Sequence, residues 1–375
     1  MRNDSKNGAC AFTDVTRQSG IKEKPGMVTA ALWTDFDNDG WQDLVVLGEF
    51  MPIRFFKNTR GSFREITAQT GLQHTSGWWN SIVAGDFDHD GDIDYVAGNL
   101  GLNGPYKASS SEPVCIYAHD YDNNGRLDPV MCHFYEGKEY IVHSRDDINK
   151  QMTAMRARFK DYASYAGVTF KEAFLKDEIA KAYVVKAETF ASAYIENLGG
   201  GKFSLHNLPV EAQFAPIYGM VCSDFDGDGN PDVLCAGNSY SAEVQSGRYD
   251  AQGSVLLTGD GKGNFFAKRN AINIAGDNKA LAQLINADGS SLFLVSSNND
   301  SLHAFRFNGA HQKVLNILPD DAYAILASRK GVKSRQEFYY GSTYLSQSTR
   351  RLIIAPEIRS VVIYNNNGNS REIIF

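Results

Sequence analysis

Carboxylates at alternate positions are the chemistry most visible in this sequence. The stretch DFDHDGDID, from Asp86 to Asp94, sets five aspartates into nine residues. Acids held this close repel, raise one another's pKa and destabilise a compact loop unless a cation stands among them. Asp86, Asp88, Asp90 and Asp94 follow the order D-x-D-x-D-G-x-x-D, with Gly91 where the chain must turn sharply. Alternate side chains then converge on one point, and an all-oxygen ligand set of this kind suits Ca²⁺. A helix-loop-helix calcium site would place a glutamate at the twelfth position, but Ala97 stands there. The loop must open into something other than a second helix.

The same pattern recurs three more times. DFDNDGWQD offers Asp35, Asp37, Asp39 and Asp43; DYDNNGRLD offers Asp120, Asp122, Asn124 and Asp128; DFDGDGNPD offers Asp224, Asp226, Asp228 and Asp232. Their twelfth positions are Val46, Met131 and Cys235, and the loops lead into apolar runs such as LVVLG, YVAGN and VLCAGN. Short apolar runs ended by glycine or asparagine read as buried strands. Each loop is therefore expected to be a calcium-binding connection between two strands. Asn124 keeps an oxygen ligand but loses a charge, so the third site should be the weakest. With every ligand drawn from nine residues and no position left open for substrate, the expected role of the ions is structural.

The repeat extends beyond the loops. FTDVTRQSGI begins at Phe12 and FREITAQTGL at Phe63, each 23 residues before the first aspartate of the following loop, Asp35 or Asp86. The G-x-F ends at Gly201–Phe203 and Gly263–Phe265 follow apolar strands in the same way. Repeats of about 40 to 50 residues with several strands each predict an all-β fold, a β-propeller, because one blade cannot cover its own apolar faces. An eroded copy from Leu281 keeps only Asp288 and Gly289 of its loop and is expected to hold no metal, which makes five blades. The chain opens on an outer strand, Phe12 to Thr16, expected either to close against the C-terminal part or to belong to a longer parent protein. Between the third and fourth loops, Ile148, Met152, Met155, Phe159 and Tyr162 recur on one helical face. Ser144 with Asp147 and Thr169 with Glu172 are helix-start pairs. A helical hairpin inserted in the third blade, over about 144–185, is the expectation.

No nucleic-acid partner is expected, but the formal charge of −7 over 375 residues is not the reason, since most of it belongs to the unfilled metal loops. Sixteen aspartates lie in the four loops, so four Ca²⁺ ions would carry that charge to +1. No apolar run is long enough to span a membrane, and the opening residues read as no leader peptide. Cys115 with Cys132 and Cys222 with Cys235 flank two loops but read as one residue out of register, so free buried thiols are expected. Weak calcium loops fill where calcium is millimolar, which points to an extracytoplasmic location.

The loops, with the turns FFKNTRGSF and GDGKGNF, resemble FG-GAP repeats, also called VCBS repeats, of integrin-α-like propellers. The last segment, from SRQEFYYG to the terminus, resembles an ASPIC/UnbV domain. The resemblance implies a propeller over 1–309, a small β region over 310–375, calcium ligation by the sixteen loop residues named above, and a secreted or surface protein. The expected function is a binding module for a glycan or a protein on one propeller face, with Trp78, Trp79, Tyr240, Arg248 and Tyr249 as the candidate contact residues. The alternative is a calcium-containing enzyme acting on polysaccharide, for which His143, Arg145, Asp146 and Asp147 offer acid and base groups.

Overall fold

The computed structural model describes residues 1–6, 9–21, 24–243, 246–269, 272, 274–286, 288–307, 313–341 and 343–375. The apolar runs form antiparallel sheets joined by tight turns, with a few short helices. Sheet one contains Met27–Thr34, Asp43–Met51, Arg54–Thr59 and Ser62–Glu65, in that order. Sheet three repeats the scheme with Ile217–Ser223, Asp232–Gly237, Ser254–Gly259 and Phe265–Arg269. Sheet two has the same order but is interrupted: Ser81–Gly85 and Asp94–Gly98 are completed by Ala193–Asn197 and Phe203–Asn207. Sheet four has three strands, Asn278–Ile285, Ser291–Ser297 and His303–Arg306.

These sheets stack face to face in sequence order, which explains why their second strands read as unbroken apolar runs. Along a strand, successive side chains point to opposite faces. Leu32, Val45, Leu47 and Phe55 of sheet one pack with Ile82, Ala84, Tyr95 and Ala97 of sheet two. The alternate residues of sheet two, Val83 and Val96, pack with Met220, Val233 and Cys235 of sheet three. Val221, Leu234 and Leu256 of sheet three then meet Leu281, Phe293 and Val295 of sheet four. Burial on both faces removes the polar half of the usual alternation.

The third acid loop lies outside this series, contrary to the sequence expectation of a third blade. Residues 99–192 leave sheet two after its second strand and build a separate sheet from Val114–His119, Asp128–Tyr135, Lys138–Ile141 and Tyr183–Ala187. The expected hairpin of helices is broken into five short ones, Arg145–Gln151, Met155–Arg158, Tyr162–Tyr165, Phe170–Ala173 and Lys176–Lys181. Met152 and Phe159 adopt non-helical backbone and end their turns. Ile148, Met152, Met155 and Phe159 nevertheless share one buried cluster with Val130 and Cys132, while Tyr162 is exposed. Both start pairs form: Ser144 Oγ accepts from Asp147 N–H, and Thr169 donates its N–H and its hydroxyl to Glu172 Oε2.

The C-terminal strands form a four-stranded sheet, in the order Lys333–Glu337, Asp321–Ser328, Ile358–Asn365 and Ser370–Ile374, beside a paired Lys313–Asn316 and Arg351–Ile354. The expected boundary at 309/310 lies outside the described residues. Phe12–Thr13 does not pair with the C-terminal part; it pairs with Arg2–Asn3. The cysteine register also differs from expectation. Cys115 stands directly opposite Cys132, and Cys235 opposite Met220, two residues from Cys222 on the same face. All five thiols are free, and three of them are buried. Among the described residues no helix is long and apolar enough to cross a membrane.

Candidate metal centres

All four acid loops join two paired antiparallel strands in one register. Thr34 faces Asp43, Gly85 faces Asp94, His119 faces Asp128 and Ser223 faces Asp232. The ninth-position aspartate thus begins the returning strand and is buried; Asp43, Asp94 and Asp232 are 0% exposed. The sharp turn needs left-handed backbone at the fourth and sixth positions. Asn38, His89, Asn123 and Gly227 take the fourth at φ 58°, 61°, 57° and 81°, and Gly40, Gly91, Gly125 and Gly229 the sixth at 84° to 93°. Glycine adopts this conformation without penalty, which accounts for its place in the motif.

Main-chain amides fold each loop around its own acids. Gly40, Gly91, Gly125 and Gly229 N–H donate to the first-position aspartate at 3.1, 3.4, 2.8 and 3.1 Å. The fifth side chain accepts from the seventh amide in every loop: Asp39 from Trp41, Asp90 from Asp92, Asn124 from Arg126 and Asp228 from Asn230. An aspartate that does so has a second carboxylate oxygen to offer a cation; Asn124 has only the one oxygen. The neutral substitution therefore costs the third loop a donor atom as well as a charge.

Three carboxylates converge at each loop, with one oxygen of each within 4.8 Å of the others. The sets are Asp35, Asp37 and Asp39; Asp86, Asp88 and Asp90; Asp120, Asp122 and Asp128; Asp224, Asp226 and Asp232. Asp43, Asp94 and Asp228 lie outside these closest sets. Asp37 Oδ1, Asp43 Oδ2 and Asp122 Oδ1 are buried with no hydrogen-bond donor in reach. Buried acid oxygens lacking a donor are costly, and a hard divalent cation with oxygen preference satisfies them. The residues present therefore fit Ca²⁺. At two loops a lysine also approaches the acids: Lys57 Nζ contacts Asp37 and, at 3.3 Å, Asp39, and Lys268 Nζ lies 3.3 Å from Asp226.

Burial, reinforced by the neighbouring acids, pushes several of these carboxyls well above the ordinary range. Asp43 is raised to about 7, Asp94 to about 8, and Asp86 and Asp232 to about 6. Aspartates of an unfolded chain titrate near 4, roughly. The metal-free fold therefore holds more protons than the unfolded chain between about pH 4 and 8, and its stability falls as pH rises through that window. Calcium requires the ionised groups. Metal-free protein is expected to melt at higher temperature at about pH 5.5 than at about pH 8, while the gain in Tm from added calcium shrinks on acidification. Calorimetry across that range checks this, and a metal-free Tm that falls steadily with acid contradicts it.

Residues far away in sequence hold the first two loops together. Arg335, 6% exposed, donates its main-chain N–H to Asp86 Oδ2 at 2.8 Å and its guanidinium to Asp35 Oδ2 at 3.0 Å and Glu337 Oε1 at 3.3 Å. Glu337 Oε1 accepts from Asp35 N–H at 3.1 Å. Nothing in SRQEF distinguishes this pair in the sequence, because their partners lie some 250 to 300 residues earlier. The adjoining cavity, about 230 Å³, lies between the first strands of the sheets and the C-terminal region; Leu32, Val83, Met220, Ile285, Arg335 and Thr349 contribute to its wall.

The aromatic candidates divide. Trp79 is fully buried and donates its indole N–H to Thr75 O, so its ring offers no surface. Half-buried Trp78 packs with Phe50 and Phe190, in the same cluster as Tyr249. That cluster fastens the inserted sheet to the others. Tyr240 is left beside exposed Arg248, whose guanidinium lies 4.8 Å from the ring centre. The acid and base candidates are engaged in folding: His143 Nε2 accepts from Met131 N–H, Arg145 donates to Phe159 O and Lys160 O, Asp146 accepts from Tyr162, and Asp147 caps its helix with Ser144.

A crystal structure of the V. cholerae biofilm matrix protein Bap1 is similar over 93% of this chain and 48% of its own, at 13% identity and a TM-score of 0.21. The chain thus spans about half the length of that protein, and a likeness this weak carries no conclusion. No curated protein matches the chain. The profile of the FG-GAP-like repeat matches residues 35–97, the stretch that runs from the first acid loop through the second and into its returning strand.

Proposed function

We propose that this protein is a calcium-stabilised, extracytoplasmic β-propeller module that binds a glycan or a protein. The observation that supports it most is the fourfold loop, each copy converging three carboxylates within 4.8 Å. Asp35, Asp37, Asp39 and Asp43, and their counterparts at 86–94, 120–128 and 224–232, hold one Ca²⁺ per loop. The ion neutralises repulsion at the strand turns and has no chemical step to perform. Residues 1–309 form the propeller, interrupted by the inserted sheet of residues 99–192, and 310–375 an ASPIC/UnbV-like region. The contact face includes Tyr240 and Arg248, since a half-buried ring beside an exposed guanidinium suits a sugar face or an acidic group. A glycan array probed in millimolar calcium tests this. Tyr240→Ala and Arg248→Ala are expected to weaken binding at least about tenfold while leaving Tm within a degree or so, as surface substitutions do. Retained binding in both variants contradicts the assigned face, and the absence of any glycan or protein ligand contradicts the function.

A further inference from the structure

The acid loops of the stacked sheets touch one another, at the same two positions each time. Asn38, fourth in the first loop, donates from Nδ2 to Oδ1 of Asp92, seventh in the second, at 2.6 Å. His89, fourth in the second loop, places Nε2 at 2.8 Å from Oδ1 of Asn230, seventh in the fourth loop. Asn230 Nδ2 donates to Asp228 at 2.9 Å, which turns the amide oxygen to the imidazole, so His89 Nε2 carries the hydrogen. Each contact lies beside the turn that leads into the fourth strand of its own sheet. A Cβ on Gly199 would come within 3.4 Å of Asp92 Oδ2, and one on Gly261 within 2.5 Å of Asn230 Oδ1.

These contacts run from the acids of one loop to those of the next. Asn38 stands between Asp37 and Asp39, and His89 between Asp88 and Asp90. On the receiving side, Asp92 N–H donates to Asp90 and Asn230 N–H to Asp228, both at 2.8 Å. Closing a loop on an ion fixes its tip, and with it the side chain that meets the neighbouring loop. Arg335 adds a second link between the first two loops, giving its guanidinium to Asn38 Oδ1 and Asp35 Oδ2 and its N–H to Asp86 Oδ2. The third loop is built alike but stands apart. Asn123 and Arg126, its fourth and seventh residues, are exposed, and among the described residues no hydrogen bond joins it to another acid loop.

We infer that calcium binding at the first, second and fourth loops is cooperative, while the third loop takes its ion independently. A loop already held by an ordered neighbour loses less freedom on closing, so each ion favours the next. Charge works the other way, because each ion weakens the negative field that draws the next. That field is screened beyond about 8 Å at physiological salt, whereas a direct hydrogen bond between loops is not. The inference rests on the calcium sites proposed above and concerns how they communicate.

Isothermal titration of Ca²⁺ into the chelator-stripped full chain, at about 0.15 M salt, tests it. With Asp122→Asn removing the third site, the three remaining ions are expected to bind with a Hill coefficient of at least about 1.5. Adding Asp226→Asn empties the fourth loop and is expected to weaken the two ions left at least about fivefold. Asn230→Ala leaves every loop carboxylate in place but cuts the link from His89; in that chain Asp226→Asn is expected to cost the other sites no affinity. Asp92→Asn keeps an acceptor for Asn38 and is expected to leave the cooperativity unchanged. A Hill coefficient of about 1 or less, an Asp226→Asn chain whose other sites are unaffected, or coupling that survives Asn230→Ala overturns the inference while leaving calcium binding intact. Absence of any calcium uptake overturns this inference and the proposed function together.

Discussion

Removing calcium is expected to lower the melting temperature by about 10 °C or more. A site filled at a thousandfold over its Kd stabilises the fold by about 4 kcal/mol. A domain of this size shifts by roughly 2–4 °C per kcal/mol. The loss should be large because each loop concentrates its acids at a strand turn rather than on a free tail. Asp94, for example, has both carboxylate oxygens engaged, accepting from Phe87 and Tyr194 on one and Asn197 on the other. Repulsion that displaces it pulls on the second and third strands of sheet two together. Lys57 and Lys268 soften the effect at the first and fourth loops. Thermal scans with and without EDTA check the prediction, and restoration by Ca²⁺ separates metal loss from damage by the chelator.

The second large effect lies at Arg335. Its guanidinium is buried between Asp35 and Glu337, whose side chains are 8% and 7% exposed, and it lies 4.0 Å from the Tyr323 ring centre. Arg335→Met preserves bulk but leaves the buried Glu337 carboxylate without a counter-charge and Asp35 with none but its calcium. Breaking a buried pair from one side costs about 3–5 kcal/mol, whereas removing both partners costs far less. The variant is expected to lose about that much in denaturant unfolding and to release its C-terminal sheet early under limited proteolysis. Adding Glu337→Gln should recover part of the loss. A change below about 1 kcal/mol would place the contact among ordinary surface ion pairs and leave the C-terminal sheet held by other contacts.

Much of the fold could be read from the sequence because the loop motif fixes a local geometry. The order of acids and glycine determined that a strand must return at Asp43, Asp94, Asp128 and Asp232, and it does. The 51-residue register of Phe12 and Phe63 likewise marked equivalent tails. Strand partners were less legible. The run around Tyr194 reads as a strand followed by GKF, but pairing Ala193 with Ala97, across the whole inserted sheet, depends on which edge is open after folding. An inserted sheet has the same alternation as a blade, so the third loop looked like one of the series. The cysteine register was misjudged because the residue before each loop, and not its first aspartate, faces the ninth position, and one residue reverses every face. Trp79 is a contact candidate by its type alone, with packing between blades as the other reading; the Thr75 carbonyl that accepts its indole hydrogen and decides for packing has no signature in sequence.

Calcium binding at these loops underlies every other expectation for this protein. Isothermal titration of Ca²⁺ into chelator-stripped protein asks this directly, with Asp37→Asn, Asp88→Asn, Asp122→Asn and Asp226→Asn each removing one site. The expected result is four ions per chain, one for each acid cluster, with the Asn124 loop the weakest and one ion lost in each variant. Protein that takes up no calcium at millimolar concentration, or variants that all bind as the parent does, would contradict it.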